Sequence, residues 1–124
     1  VKENISLPLL LDHKKVDRGR LQELLEILGL EERADHLPNE LSGGQQQRVA
    51  IGRALISQPK LILADEPTGN LDQKNSLEII KLFRELNEAY GQTILLITHD
   101  KKIANNSKRI IYIEDGRIIK DIKR

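Results

Sequence analysis

The segment Leu61-Ile62-Leu63-Ala64-Asp65-Glu66-Pro67 is the most informative for the fold class, because four consecutive apolar residues run directly into two carboxylates and a proline. Such a run is typical of a parallel-sheet strand that is covered on both faces. A second run, Thr93–Thr98, precedes His99-Asp100. Between the two runs, apolar residues recur at helical spacing, at Ile79, Ile80, Phe83 and Leu86. We therefore predict a parallel β-α-β unit with its helix over about residues 74–89.

The residues before the first strand are predicted to be helical. Leucines recur at positions i, i+3, i+4 and i+7 ahead of Gly29, which is the spacing of an amphipathic helix. A mostly apolar segment at 5–11 predicts a short helix, and 31–36 predicts a helical turn. A longer helix is predicted to begin at Ser42 and to end near Ser57.

The residues after the second strand predict a short helix and a hairpin. The helix is expected near 101–106. The segments Ile110–Ile113 and Arg117–Lys120 flank Asp115-Gly116, a pair that favours a tight β-hairpin turn. The fold class is therefore α/β.

The predicted elements change in type near residue 58. We expect two parts, an α-helical subdomain over 1–58 and an α/β part over 59–124.

Composition limits the classes of partner and of site that this sequence can have. The 20 basic and 19 acidic residues nearly cancel, so charge gives no bias toward nucleic acid or anionic lipid. Without cysteine there is neither a disulfide framework nor a thiolate metal site. No apolar run approaches the roughly 18 residues of a membrane span. A chain that starts at Val1 without any methionine is expected to be a processed or truncated piece.

Carboxylates and a histidine follow the two predicted strands. Ligands of open parallel sheets bind beyond the carboxyl ends of the strands, so Asp65, Glu66 and His99 should crowd one edge if the strands are close. One carboxylate could hold Mg²⁺ directly or through water, and the other could deprotonate an attacking water. The histidine could donate a hydrogen bond to a phosphoryl oxygen. Alternatively, the acidic pair only caps a turn before Pro67, and His99 has a local partner.

A serine and two glycines open the helix that follows Leu41. The free N–H groups and the dipole of a helix start attract anions, and glycine lets a phosphate approach the backbone closely. The same residues fit a simpler interpretation, in which Ser42 and Gln45 form an S-x-x-Q capping box and the glycines only make the bend. The two interpretations are compatible, since a capping serine can still face a phosphate supplied from outside.

In their order and spacing, these segments resemble the ABC ATPase family. Leu41–Ala50 is similar to the family signature, and Leu61–Pro67 to the Walker B strand with its following glutamate. Gly69–Asp72 is similar to the D-loop, and His99 to the switch histidine. The resemblance covers residues 1–124, and the ordered set is far more specific than any one motif. It implies a partial P-loop NTPase core with an α-helical subdomain before it.

The resemblance implies roles for individual residues near ATP and Mg²⁺. Glu66 would be the general base that polarises the hydrolytic water, Asp65 would bind Mg²⁺ through water, and His99 would contact the γ-phosphate.

Residues of the signature would act on a second nucleotide. Ser42, Gly43 and Gly44, followed by Gln45, would contact the γ-phosphate of an ATP bound mainly to a partner subunit. Asp72 would lie in the seam of this head-to-tail dimer. ATP closes such dimers and hydrolysis reopens them, which switches the attached membrane subunits between states.

The resemblance also implies partners and a location. It describes a homodimeric ATPase subunit that is cytoplasmic and peripheral on the inner face of the cell membrane. Transmembrane permease subunits hold it there, with no nucleic-acid partner and no direct insertion. Residues 1–40 fall where the helical subdomain docks on the permease. Leu41–Arg48 and Asp65–Asp72 are most similar to lipoprotein-release, macrolide-export and peptide-antibiotic-resistance exporters. The tail Ile110–Asp121 is most similar to the peptide-antibiotic type.

One expected part of the site is missing from this sequence. A phosphate-cradling loop needs G-x-x-x-x-G-K-[ST], and none of the eight glycines is followed by lysine. The chain by itself is therefore expected to bind MgATP weakly and to be inactive. Two other functions stay open: a soluble ABC ATPase that acts on the ribosome or DNA, and a non-catalytic dimerisation module. Intact Glu66 and His99 argue against the second.

Overall fold

The computed structural model describes all 124 residues and contains five α-helices and four β-strands. In chain order they are α1 (Lys2–Leu11), α2 (Arg18–Ile27), α3 (Gly43–Leu55), β1 (Leu61–Asp65), α4 (Gln73–Tyr90), β2 (Thr93–Ile97), α5 (Lys101–Ala104), β3 (Arg109–Glu114) and β4 (Arg117–Lys123). Two short 3₁₀ helices, Glu31–Arg33 and Pro38–Glu40, connect α2 to α3. The predicted order of elements and the α/β class are confirmed. None of the helices combines the length and the apolar character needed to cross a membrane.

The predicted β-α-β unit is present. Strands β1 and β2 pair in parallel, with Asp65 opposite Ile97, and α4 connects them. The helix begins where the Asp72 side chain accepts a hydrogen bond from the N–H of Asn75, and it ends at Gly91 in the left-handed region (φ 66°). A glycine tolerates this conformation without steric cost, which explains the sharp stop.

The prediction that β1 is covered on both faces is wrong for this chain. Ile62 and Ala64 are 6% and 9% exposed, whereas Leu61 and Leu63 are 48% and 68% exposed. Burial therefore alternates along the strand because the helices of this chain cover only one face of the sheet. The other face is apolar and open.

The residues before β1 form a helical core around α3. Five leucine and isoleucine side chains there are at most 1% exposed: Ile5, Leu24, Leu25, Leu28 and Leu30. A Cβ on Gly52 would lie 2.6 Å from Cδ1 of Leu28, so this glycine lets α3 approach its neighbours closely. Helix α1 begins at Lys2, earlier than the predicted 5–11, and continues through Pro8.

The predicted hairpin is confirmed. Strands β3 and β4 are antiparallel, and Asp115 and Gly116 both have positive φ, as a two-residue type I′ turn requires. Across the hairpin, Nε and Nη2 of Arg109 donate to the two carboxylate oxygens of Asp121, at 2.9 and 2.6 Å.

Candidate functional site

The ends of β1 and β2 bring the predicted acidic and histidine residues to one edge of the sheet. The N–H of Glu66 donates to the carbonyl of Ile97 at 2.8 Å, so the strand pairing continues one residue past β1. Glu66 has φ 45°, in the left-handed region that non-glycine residues rarely occupy. Strain of this kind persists only where the surroundings enforce it, and it is frequent at active sites. Asp65 is the last residue of β1 and is exposed.

Three hydrogen bonds hold the Glu66 carboxylate against the end of β2. Nδ1 of His99 lies 2.6 Å from Oε1 of Glu66, and the backbone N–H of His99 donates to the same oxygen at 3.0 Å. Oγ1 of Thr98 donates to Oε2 at 3.4 Å. Thr98 was not singled out from the sequence, although it stands directly before His99. Because the His99 side chain is 89% exposed and that of Glu66 36%, both can meet a ligand from solvent.

The contact between Glu66 and His99 shifts the pKa of both side chains. The hydrogen bond from His99 holds the pKa of Glu66 below its ordinary value of 4.5. The same hydrogen bond raises the pKa of His99 above its ordinary value of 6.5. A carboxylate stabilised in this way is a weaker base. The contact therefore favours the ionised carboxylate of Glu66 and the protonated imidazole of His99.

The turn after Glu66 leads to the start of α4. The N–H of Gly69 donates to the carbonyl of Glu66 at 3.0 Å, and the N–H of Leu71 donates to the carbonyl of Thr68 at 3.1 Å. Pro67 follows Glu66 at the position of a β-turn that favours proline. Asp72, predicted for a dimer seam, caps α4 and is exposed. Its exposure leaves it accessible to a partner.

The start of α3 is an exposed capping box, as the simpler interpretation predicted. Oγ of Ser42 accepts from the N–H of Gln45 at 3.2 Å, and the Gln45 side chain accepts from the N–H of Ser42 at 2.9 Å. Ser42 and Gly43 are exposed, whereas Gly44 is buried. The first N–H groups of a helix have no intrahelical acceptor, so this start can still bind an anion.

The two groups of site residues are not joined to each other within the chain. No hydrogen bond or ion pair links residues 42–45 to Asp65, Glu66 or His99. The structure thus assembles Glu66 with His99, places Asp65 at the same strand end, and leaves the start of α3 apart.

The donor set suits Mg²⁺ only in combination with other ligands. The chain contains no group of three or more His, Cys, Asp or Glu residues that could hold a metal ion. Mg²⁺ usually keeps several waters and binds one or two carboxylates together with substrate phosphates. A single exposed carboxylate at a strand end, such as that of Asp65, suits this mode of coordination if a nucleotide supplies the remaining ligands.

Comparisons with known proteins agree with this geometry. The sequence profile of the ABC transporter family matches residues 1–69. An uncharacterized ABC transporter ATP-binding protein of Methanocaldococcus jannaschii is 47% identical over 98% of this chain and 55% of its own length. The macrolide export ATP-binding/permease protein MacB of Chlorobium phaeobacteroides is 50% identical over the whole of this chain and 19% of its own length.

Solved structures give the same result. A bacterial ABC transporter cassette solved as a dimer is 47% identical, with a TM-score of 0.78 over 98% of this chain and 55% of that chain. The same cassette in a dimeric post-hydrolysis state, bound to ADP and Pi, is 46% identical, with a TM-score of 0.77 over the same shares. This chain therefore spans about half the length of the Methanocaldococcus relative and about a fifth of the length of the macrolide export protein.

Proposed function

Because the chain belongs to the ABC transporter family of ATP-binding proteins, we propose that it is the signature-bearing and hydrolytic part of an ATPase subunit that powers an exporter. The observation that carries the proposal is the contact between Glu66 and His99 at the adjoining ends of β1 and β2. This is the edge of a parallel sheet at which ligands bind.

At this edge, each side chain has a separate task. Glu66 orients the attacking water and accepts its proton once His99 has turned away. His99 donates a hydrogen bond to the γ-phosphate of ATP, which stabilises charge as it develops. Asp65 holds Mg²⁺ through water, and the metal offsets the negative charge of the phosphates.

The start of α3 serves the nucleotide of a second subunit. Ser42, Gly43, Gly44 and Gln45 face the γ-phosphate of an ATP that is bound mainly to the partner, and Asp72 lies in the seam between the two subunits. The exposure of Ser42 and the absence of any link to Glu66 within the chain support this arrangement. The dimeric state of the similar cassette supports a homodimer.

The helical residues 1–58 and the α/β residues 59–124 then work as two subdomains. Residues 1–40 dock on transmembrane permease subunits, which keep the ATPase at the cytoplasmic face of the membrane. Exposed leucines on α1 support a docking role: Leu7, Leu10 and Leu11 are 42%, 51% and 72% exposed. The name of the relative MacB pairs an ATP-binding with a permease function. Without a phosphate loop, this chain alone is inactive.

The test is the Glu66→Gln variant of the full-length protein. Glutamine keeps the size of the side chain and one acceptor oxygen but cannot accept a proton. General bases contribute roughly 10² to 10⁴-fold, so steady-state hydrolysis should fall by that factor while ATP binding is retained. Glu114→Gln, at an exposed position of β3, is the matched control. Near-normal hydrolysis by Glu66→Gln would remove Glu66 from this role.

A further inference from the structure

A single ion pair joins the two parts of the chain, the helical residues 1–58 and the α/β residues 59–124. Nη2 of Arg48, on α3, lies 3.7 Å from Oε2 of Glu78, on α4. Every other ion pair and hydrogen bond of the structure lies within one part or the other. The contact between Arg48 and Glu78 is therefore the only charged link across the boundary between the two parts.

Buried apolar side chains hold the two parts together. One continuous core includes Val49 and Leu55 of α3 as well as Ile79 and Phe83 of α4. Burial of apolar surface is strongly favourable but has no preferred direction. The attraction between two charges, in contrast, depends on the distance between two particular atoms. The core therefore keeps α3 in contact with α4, whereas the ion pair favours one orientation of α3 on α4.

The guanidinium of Arg48 is held in place from the side of α2. Its Nη1 donates to the carbonyl of Leu28 at 3.0 Å. Leu28 is the C-cap of α2 and is fully buried. Carbonyls at the C-terminus of a helix have no intrahelical donor and carry partial negative charge, so a guanidinium is a favourable partner. Because the guanidinium is planar and its donors point in fixed directions, this hydrogen bond also restricts where Nη2 can meet Glu78.

The ion pair contributes little to stability because both side chains reach solvent. The side chain of Arg48 is 23% exposed and that of Glu78 is 47% exposed. Ion pairs that are exposed to this extent add little to the free energy of unfolding. A weak preference for one orientation still matters in a symmetric dimer, because the dimer contains the pair twice.

Both ends of the ion pair lie on helices that begin at surfaces used by the proposed function. Arg48 follows Ser42 by six residues, which places it about 9 Å further along α3. Glu78 likewise follows Asp72, the cap of α4, by six residues. The orientation of α3 at Arg48 therefore determines where Ser42 lies relative to Asp72.

We propose that Arg48 and Glu78 are positioning residues that set the orientation of the helical part on the α/β part, and with it the place of the α3 start. The proposal rests on the function proposed above and deepens it. Residues 42–45 contact the phosphate, and the ion pair holds them where the partner's nucleotide can reach them. Through Leu28, Arg48 also connects this orientation to α2, which belongs to the residues proposed to dock on the permease.

The test is Glu78→Gln in the full-length protein, in a parent that carries Glu66→Gln to slow hydrolysis. The substitution removes the charge and leaves the hydrogen bond between Arg48 and Leu28 in place. ATP-driven dimer formation in sedimentation velocity should weaken about threefold per subunit, and hence about tenfold in the dissociation constant of the dimer. Affinity for ADP, measured by calorimetry, should stay within about twofold of the parent value. The midpoint of urea denaturation should not change, which separates positioning from a loss of stability.

Glu85→Gln is the matched control. It removes the same charge from α4 but breaks only the ion pair to Lys81 of the same helix, so dimer formation should stay at the parent value. A double-mutant cycle with Arg48→Met identifies the partner of Glu78. In the Arg48→Met background, Glu78→Gln should have no further effect on dimer formation. An equal loss in both backgrounds would show that Glu78 acts through another residue and would overturn the proposal.

Spin labels on the ADP-bound monomer measure the orientation directly. Glu32→Cys in the helical part and Ala89→Cys on α4 place the labels at exposed positions, in a background otherwise free of cysteine. Glu78→Gln should broaden the distribution of label-to-label distances, and Glu85→Gln should not. An unchanged distribution or unchanged dimer formation with Glu78→Gln would overturn the proposal. A parent that does not dimerise with ATP would instead contradict the proposed function, and the distance distribution would still decide whether the ion pair sets the orientation.

Discussion

The imidazole of His99 and the carboxylate of Glu66 are in direct contact, with Nδ1 and Oε1 2.6 Å apart. The two side chains proposed to act on ATP thus bind each other. The contact stabilises the ionised forms of both groups, so Glu66 is a weak base in this state. A phosphoryl oxygen that attracts His99 would release Glu66 to a water molecule at the moment when a substrate is present.

A first prediction concerns the titration of His99. Its pKa should lie above 6.5 in the unmodified protein because Glu66 accepts its hydrogen bond. In the Glu66→Gln variant the pKa should fall, because a neutral amide does not stabilise the imidazolium to the same extent. NMR titration of the imidazole Cε1–H signal measures both values. An identical His99 pKa in the two proteins would mean that the contact is not made in solution.

The contact between Glu66 and His99 should also make the free energy of unfolding depend on pH. The pKa of Glu66 is lowered, so its contribution is present above 4.5 and is lost as the pH falls through the folded-state value. The pKa of His99 is raised, so its contribution is complete below 6.5 and is lost as the pH rises through the folded-state value. The difference in unfolding free energy between the unmodified protein and His99→Ala should therefore be largest between pH 4.5 and pH 6.5. A difference that grows steadily with pH would contradict this.

A stability prediction compares two aliphatic residues of α4. Ile79 is fully buried at 0% exposure, whereas Leu77 is 54% exposed. Ile79→Ala should lower the unfolding free energy by about 2–5 kcal/mol through lost burial and a cavity. Leu77→Ala should change it by less than about 1 kcal/mol. Urea denaturation of both variants measures the difference, and equal effects would show that α4 packs by another face.

The open face of the sheet predicts self-association of this chain. Leu63 and Leu95, on neighbouring strands, are 68% and 50% exposed. Exposed apolar surfaces and free strand edges favour contacts between copies. Leu63→Glu should reduce association in sedimentation velocity, and Leu77→Glu, on α4, should not. A chain that is monomeric before any substitution would contradict the prediction.

Much of the fold and of the site could be predicted from local sequence. Apolar runs that end in Asp65-Glu66 and His99 mark parallel strands and the edge they share, and Asp115-Gly116 marks the hairpin. The exposure of Leu63 could not be predicted, because strand burial depends on which elements cover the sheet. The close approach of Gly44 to the Asn75 side chain joins residues on different helices, and no local pattern indicates it.

The backbone conformation of Glu66 also could not be predicted from the sequence. A positive φ at a glutamate contradicts local preference, and it arises because the residue must pair with Ile97 and turn immediately afterwards. Such conflicts between local preference and tertiary structure are expected at functional sites.

In the proposed dimer, one nucleotide is shared by Glu66 of one subunit and Ser42 of the other. Ser42→Asp tests it, because aspartate keeps the helix cap but repels a phosphate. Mixed dimers of the full-length protein are prepared with Ser42→Asp and Glu66→Gln either in different subunits or in the same subunit. ATP hydrolysed in a single round is then compared with that of dimers carrying Glu66→Gln in one subunit.

With the two changes in different subunits, one complete site remains, so hydrolysis should equal that of the reference dimer. With both changes in one subunit, each site lacks one partner, and hydrolysis should fall to the level of the Glu66→Gln homodimer. The reverse pattern would place Ser42 at its own subunit's nucleotide and contradict a site shared between subunits.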